Sequence, residues 1–235
     1  MKICIYGGSF NPPHLGHTAA LRAVRAAIRP DLTLVIPDRI PPHKELTAGS
    51  PEPAERLLMT MMAFADEPGV EVSDMELHRS GKSYTADTVR ELSACNPDAE
   101  LYLVIGTDML TTFEQWHDFR YLLAQVTLVA LARTGDEHAE VERFSAYLRG
   151  TYDARVIAGR AGPGHEHGRS CAAAAAAGQR VPRAECVCAH HPAAALRRKA
   201  RSQLAARAGL PHAQAAAYLP CLGLRARGAP PRRAL

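Results

Sequence analysis

Tryptophan occurs once in this 235-residue chain, and aromatic residues make up only 6% of it. No stretch of about 18 apolar residues is present, so the sequence gives no candidate for a membrane-spanning helix. The first residues lack the charged-then-apolar pattern of a secretory signal, and a cytoplasmic location is the expectation. Six cysteines fall at irregular spacings that do not suggest a disulfide framework. The deepest deficits lie in the last third. Residues 158–235 contain no Ile, Phe, Trp, Met or Asp, and 24 of those 78 residues are Ala. Side chains so small cannot bury a core that offsets chain entropy, so 158–235 is expected to be a largely unstructured low-complexity tail. Residues 172–177 could be helical by propensity alone. Within the tail His165, His167 and Cys171 imitate a ligand set, as do Cys186, Cys188, His190 and His191. A CxC pair without an apolar shell does not build a zinc site, and no protein metal ligands are expected. The tail's arginines have no interleaved aromatics and no recognisable module, so no specific nucleic acid partner is expected.

A formal net charge of +4 hides an asymmetry: residues 1–157 carry 15 Lys/Arg against 22 Asp/Glu, and residues 158–235 carry 13 against 2. The two regions have different histories or different partners. Residues 1–157 alternate between the two periodicities of regular structure. Short apolar, β-branched runs predict strands over 3–6, 32–37, 70–73, 101–106, 126–132 and 154–157. Helical spacing predicts helices over 15–28, 54–66, 85–95, 119–123 and 136–149, with a proline-rich loop over 41–53. In the second of these helices Leu57, Leu58, Met61, Met62 and Ala65 read as the buried stripe. Strands alternating with helices imply an α/β domain, a doubly wound parallel sheet of Rossmann-like type, with ligands at the strand C-termini. The expected domain covers residues 1–157.

The most informative segment is Gly7-Gly8-Ser9-Phe10-Asn11-Pro12-Pro13-His14-Leu15-Gly16-His17, directly after the first strand. It reads as a strand end, a phosphate-sized loop and a helix start. A helix start offers unpaired N–H groups and the positive end of the dipole, so it attracts anions. His14 and His17, three apart, fall on one face of the first turn and can reach the same phosphate.

This block resembles the HxGH signature of the nucleotidyltransferase superfamily, and in its fuller form the nicotinate-mononucleotide adenylyltransferase family. Further segments are similar to the family's: Pro41-Pro42-His43-Lys44; Ser73, Glu76, Gly81 and Ser83-Tyr84-Thr85 with Thr88; and Gly106, Asp108 and Trp116 after the apolar run 101–106. The resemblance implies transfer of the adenylyl group of ATP to nicotinate mononucleotide, giving nicotinate adenine dinucleotide and pyrophosphate in NAD synthesis. It implies that His14 and His17 are catalytic, and that Gly7, Gly8, Ser9, Phe10, His14, His17, Gly106 and Asp108 bind ATP. Asn11, Lys44, Tyr84, Thr85 and Trp116 would bind the mononucleotide. Tyr84 and Thr85 would take its carboxylate at a helix start, and the Trp116 indole would stack on its pyridine ring. Mg²⁺ would be bound mainly through the ATP phosphates. Two alternatives stand beside this: an acceptor such as phosphopantetheine, or a catalytically impaired nucleotide-binding product of a frameshifted gene. Nothing in the sequence speaks to oligomeric state.

The second alternative comes from the tail. Family members carry an S-T-x-(I/V)-R segment and then Y-(I/L)-P-x-S-V-x-x-Y-I, and neither is present here. Dropping one nucleotide from the codons of residues 164–172 permits D-M-S-T-x-V-R-A, and the same shift over 179–191 permits S-E-Y-L-x-P-S-V-Y-A-x-I. Both family segments reappear in order, so a change of reading frame near residues 157–164 is expected.

Overall fold

A computed structural model describes residues 1–160. The chain runs β1 (Lys2–Gly8), α1 (Leu15–Ile28), β2 (Leu32–Pro37), α2 (Pro53–Ala63), β3 (Val70–Val72), α3 (Thr85–Cys95), β4 (Glu100–Gly106), α4 (Thr107–Thr111), a 3-10 turn (Phe113–Gln115), α5 (Phe119–Gln125), β5 (Val126–Ala132), α6 (Gly135–Tyr152) and β6 (Val156–Arg160). All six strands are parallel, in the order β3-β2-β1-β4-β5-β6. This is the doubly wound arrangement expected from the alternation. Central strands covered on both faces must be apolar throughout, and Ile3, Cys4 and Ile5 of β1 and Leu128 through Ala132 of β5 are all buried. One face packs Ile3, Ile5, Leu103, Ile105, Leu122, Leu128, Val141 and Leu148 into a continuous core. Among the described residues no helix is long and apolar enough to cross a membrane.

The strand order reverses at β1, whose neighbours are β2 on one side and β4 on the other. In open sheets of this kind a crevice opens at that reversal, beyond the carboxyl ends of the strands. Because the strands are parallel, the segments after Gly8, Pro37, Gly106 and Ala132 all leave from the same edge.

Several expectations are corrected in detail. β1 continues through both glycines, because Gly7 and Gly8 pair in register with Ile36 and Pro37 of β2. The turn therefore starts at Ser9. β6 runs from Val156 to Arg160, paired to β5 through Ala132, three residues past the expected domain boundary. The polar stretch after β4, where helical spacing predicts no element, holds a five-residue helix and a 3-10 turn. In α2 the buried face is Arg56, Thr60, Met61 and Ala63, and Leu57, Leu58, Met62 and Ala65 are only partly buried. The helix is rotated because the Arg56 guanidinium is drawn inward by an acid and three carbonyls. Expectations for the tail beyond Arg160, its disorder and its histidine and cysteine sets included, lie outside the described residues.

Candidate active site

The glycine-rich block makes its turn with unusual backbone at Phe10, which sits in the left-handed region at φ 44°. A non-glycine residue is held there only when its surroundings fix it. The Phe10 ring, 2% exposed, meets Tyr6 edge-on at 5.6 Å, Phe64 at 6.1 Å and His17 at 5.1 Å. Gly8 has no side chain because a Cβ there would touch the Phe10 ring at 3.3 Å, whereas a Cβ at Gly7 would meet nothing within 4 Å. Asn11 donates through Nδ2 to Ser50 Oγ at 2.9 Å, which ties the 41–53 loop to this turn.

His14 is the N-cap of α1 and His17 its third residue, a capping-box arrangement. The backbone N–H of His14 donates to His17 Nδ1 at 3.0 Å, and the two rings lie 3.7 Å apart, tilted by 30°. An imidazole whose Nδ1 accepts carries its proton on Nε2 when neutral. His17 is thus fixed as an Nε2–H donor, its ring plane set by Phe10. No acidic side chain occupies the first turn of α1, so its positive dipole end is not neutralised from within the helix.

Beneath this turn lies Arg56, a fully buried guanidinium. Its Nη1 donates to the Ser9 carbonyl at 2.6 Å and to Asp38 Oδ1 at 3.0 Å, and its Nη2 to the carbonyls of Asp38 at 2.7 Å and Arg39 at 3.0 Å. Ser9 Oγ donates to the other Asp38 oxygen at 2.6 Å. The loops after β1 and β2 are therefore joined through one buried cation. Sequence reasoning missed Arg56 and Asp38. The available signal was an arginine spaced four and seven residues from Thr60 and Ala63 on a core-facing stripe.

The loop after β2 carries His43 and Lys44, both exposed. The His43 ring stacks on Trp116 at 5.1 Å and 29°, and Phe113 lies 5.0 Å from the same indole. Trp116 is only 9% exposed, and its Nε1 is buried without a hydrogen-bond partner among the described residues. Partial burial, with the charge of Lys82 adding to it, lowers the His43 pKa and favours the neutral ring. Tyr84 is the N-cap of α3 and Thr85 its first residue. The Tyr84 ring meets His117 at 4.4 Å. The lysine loop, the α3 start and the tryptophan segment are thus brought together.

On the other side of β1, Gly106 caps α4 and Asp108 stands exposed beside it. Arg133, just past β5, donates to Asp108 Oδ1 at 2.7 Å. Sequence reasoning did not single out Arg133. A Cβ on Gly106 would fall 2.8 Å from the Arg133 guanidinium and 2.9 Å from the Asp108 carboxylate. Glu137 accepts from Thr107 Oγ1 and from the Arg133 N–H, both at 2.8 Å, which holds the two strand ends together. Among the described residues no group of three or more His, Cys, Asp or Glu side chains is placed to hold a metal ion. The histidines and helix start of the crevice suit phosphate oxygens.

Residues 5–160 match the family model described as Cytidylyltransferase-like. A "Probable nicotinate-nucleotide adenylyltransferase" from Oceanobacillus iheyensis is 41% identical over 134 residues, 57% of this chain and 69% of that protein. One from Geobacillus thermodenitrificans is 40% identical over 134 residues, and the alignment spans 57% of this chain and 62% of that relative, under two thirds of its length. One from Symbiobacterium thermophilum is 39% identical over 157 residues, 66% of this chain and 74% of that protein. Among solved structures, Plasmodium falciparum nicotinic acid mononucleotide adenylyltransferase complexed with NaAD shares the fold. Its TM-score is 0.54 at 21% identity, covering 68% of this chain and 74% of that one.

Proposed function

The chain belongs to the cytidylyltransferase-like family, among its nicotinate-nucleotide adenylyltransferases, and from that premise we propose that it joins ATP and nicotinate mononucleotide into nicotinate adenine dinucleotide, releasing pyrophosphate. A phosphate oxygen of the mononucleotide attacks the α-phosphorus of ATP, and the bond from that phosphorus to the β-phosphate oxygen breaks. No covalent enzyme intermediate is needed, so catalysis is positioning plus neutralisation of developing charge. The observation that carries the reading is the His14–His17 pair at the α1 start. His17 presents Nε2–H as a donor, and its Nδ1 is already committed to the His14 N–H. Such a donor, at the positive end of the α1 dipole, suits phosphate oxygens whose charge grows as pyrophosphate leaves. Mg²⁺ carried on the ATP phosphates would supply further neutralisation. Gly7 and Gly8 end β1, and Ser9 and Phe10 make the turn under the phosphates. Gly106 and Asp108, with Arg133, form the nucleoside side. Asn11, Lys44, Tyr84, Thr85 and Trp116 form the mononucleotide side. The α3 start offers N–H donors to a carboxylate, and Trp116 offers a ring face once His43 is displaced from it, whereas phosphopantetheine has no aromatic ring or carboxylate at that end. A cytoplasmic location fits a water-borne pair of substrates.

The family match ends at residue 160, the last residue of β6. This supports a reading-frame change near residues 157–164, which would remove the S-T-x-(I/V)-R segment that resembling proteins use on the leaving pyrophosphate. The test pairs this chain with one whose frame is corrected there, assayed for pyrophosphate release with MgATP and either nicotinate mononucleotide or its amide. The corrected chain should be far faster, with higher kcat/KM for the acid, because N–H donors favour a carboxylate over a neutral amide. Equal activity of the two chains would refute the frame reading. Equal kcat/KM for acid and amide would refute the assignment of Tyr84 and Thr85.

A further inference from the structure

Glu76, in the loop between β3 and α3, is 6% exposed, and burial pushes its pKa up to about 7. Asp38 raises it further, whereas Arg79 and hydrogen bonds from Thr88 and Ser83 oppose the rise. Thr88 Oγ1, in the first turn of α3, donates to Glu76 Oε1 at 2.6 Å. Ser83, just before the N-cap, accepts the Arg39 N–H on its Oγ at 2.9 Å and donates its own N–H to the Ile40 carbonyl at 2.9 Å. Arg39 reaches the Arg79 carbonyl at 2.6 Å, and Arg79 reaches Thr88 Oγ1 at 2.7 Å and Glu91 at 2.6 Å. Glu76 therefore holds the Thr88 hydroxyl directly and interacts with that of Ser83, which is itself bonded to the loop that leads to Lys44.

We propose that Glu76 is a positioning residue for the mononucleotide pocket: through Ser83 and Thr88 it fixes the start of α3, with Tyr84 and Thr85, against the loop after β2. An ionised carboxylate accepts from both hydroxyls at once. A neutral acid or an amide has a single full acceptor oxygen, so one hydroxyl must turn and the helix start loosens. The inference rests on the reading of Tyr84 and Thr85 as the anchor of the nicotinate carboxylate.

The test uses the full-length chain and its Glu76→Gln variant, titrated with nicotinate mononucleotide while the fluorescence of Trp116, the sole tryptophan, is followed between about pH 6 and pH 8.5. Affinity for a non-hydrolysable ATP analogue with Mg²⁺ is measured by calorimetry. Freeing one buried hydroxyl at the anchor should raise the variant's Kd for the mononucleotide roughly five- to tenfold at high pH. That ratio should fall toward one at low pH, where the parent's own Glu76 is protonated. Comparing the two chains cancels titration of the ligand phosphate and of the histidines. Affinity for the ATP analogue should stay within about twofold. Thr88→Val removes one of the two donors and should weaken mononucleotide binding in the same way, which keeps the test available if Glu76→Gln does not fold. An unchanged Kd overturns the inference, and so does a ratio independent of pH or an equal loss of ATP-analogue affinity. Tighter binding by the variant also overturns it, because that result marks simple repulsion between two carboxylates. A parent that gives no response to the mononucleotide refutes the substrate reading and this inference together. A responsive parent with an unaltered variant refutes the inference alone.

Discussion

Arg56→Met tests whether one buried cation holds the loops after β1 and β2 together. The substitution keeps the aliphatic stem and deletes a guanidinium that makes four hydrogen bonds, three of them to the carbonyls of Ser9, Asp38 and Arg39. Asp38 is left 8% exposed with Ser9 as its remaining side-chain partner. Removing one member of a buried pair leaves an uncompensated charge and costs about 3–5 kcal/mol. For a domain of this size that corresponds to a drop in Tm of roughly 6–20 °C. Thermal unfolding followed by circular dichroism measures it. Adding Asp38→Asn removes the stranded charge, and the double variant should recover at least half of the loss. Arg56→Lys keeps the charge but lacks the planar fork that spans both loops, and should fall between parent and Met. A fall of less than about 3 °C in the Met variant would refute the argument. So would a double variant no more stable than Arg56→Met, since the cost would then lie in packing and not in the ion pair.

Three further outcomes are expected. In the frame-corrected chain His17→Ala should lower kcat about 10²–10³-fold with the mononucleotide KM nearly unchanged, because its Nε2–H meets charge that develops in the transition state; a change of only a few-fold would make His17 a cap alone. Glu76 has its pKa raised from 4.5 to about 7, so the folded state binds the extra proton between those values and this group's effect on stability falls as pH rises through that window. Glu76→Gln should therefore be more stable than the parent near pH 8, by roughly 3 kcal/mol at most and with a higher Tm, and match it near pH 4.5; a pH-independent difference would contradict the assignment. Since His43 covers a face of Trp116, a pyridine ring stacking there must displace it. His43→Ala should lower the mononucleotide KM about two- to tenfold, the worth of one aromatic pair, and a raised KM would show that His43 itself holds the ligand.

Periodicity alone determined the α/β alternation, the parallel sheet and the sheet edge from which the candidate site residues leave, because continuous apolar strands and amphipathic helices leave few other ways to bury both faces. The glycine-histidine block was legible because its residue types are dictated locally: Gly8 by the Phe10 ring, and His14 and His17 by the helix start they cap. Tertiary structure decided what depends on distant partners. Spacing could place Arg56 on one stripe with Thr60 and Ala63, but it could not foresee its partners, an acid 18 residues earlier and a carbonyl 47 residues earlier. The pairing of Asp108 with Arg133, the stack of His43 on Trp116 and the gathering of Ser83 and Thr88 around Glu76 likewise join segments that meet only when the sheet is assembled. Sequence periodicity reports which face of an element is buried. It does not report which polar group on another element will be buried against it, and that pairing shapes most of this site.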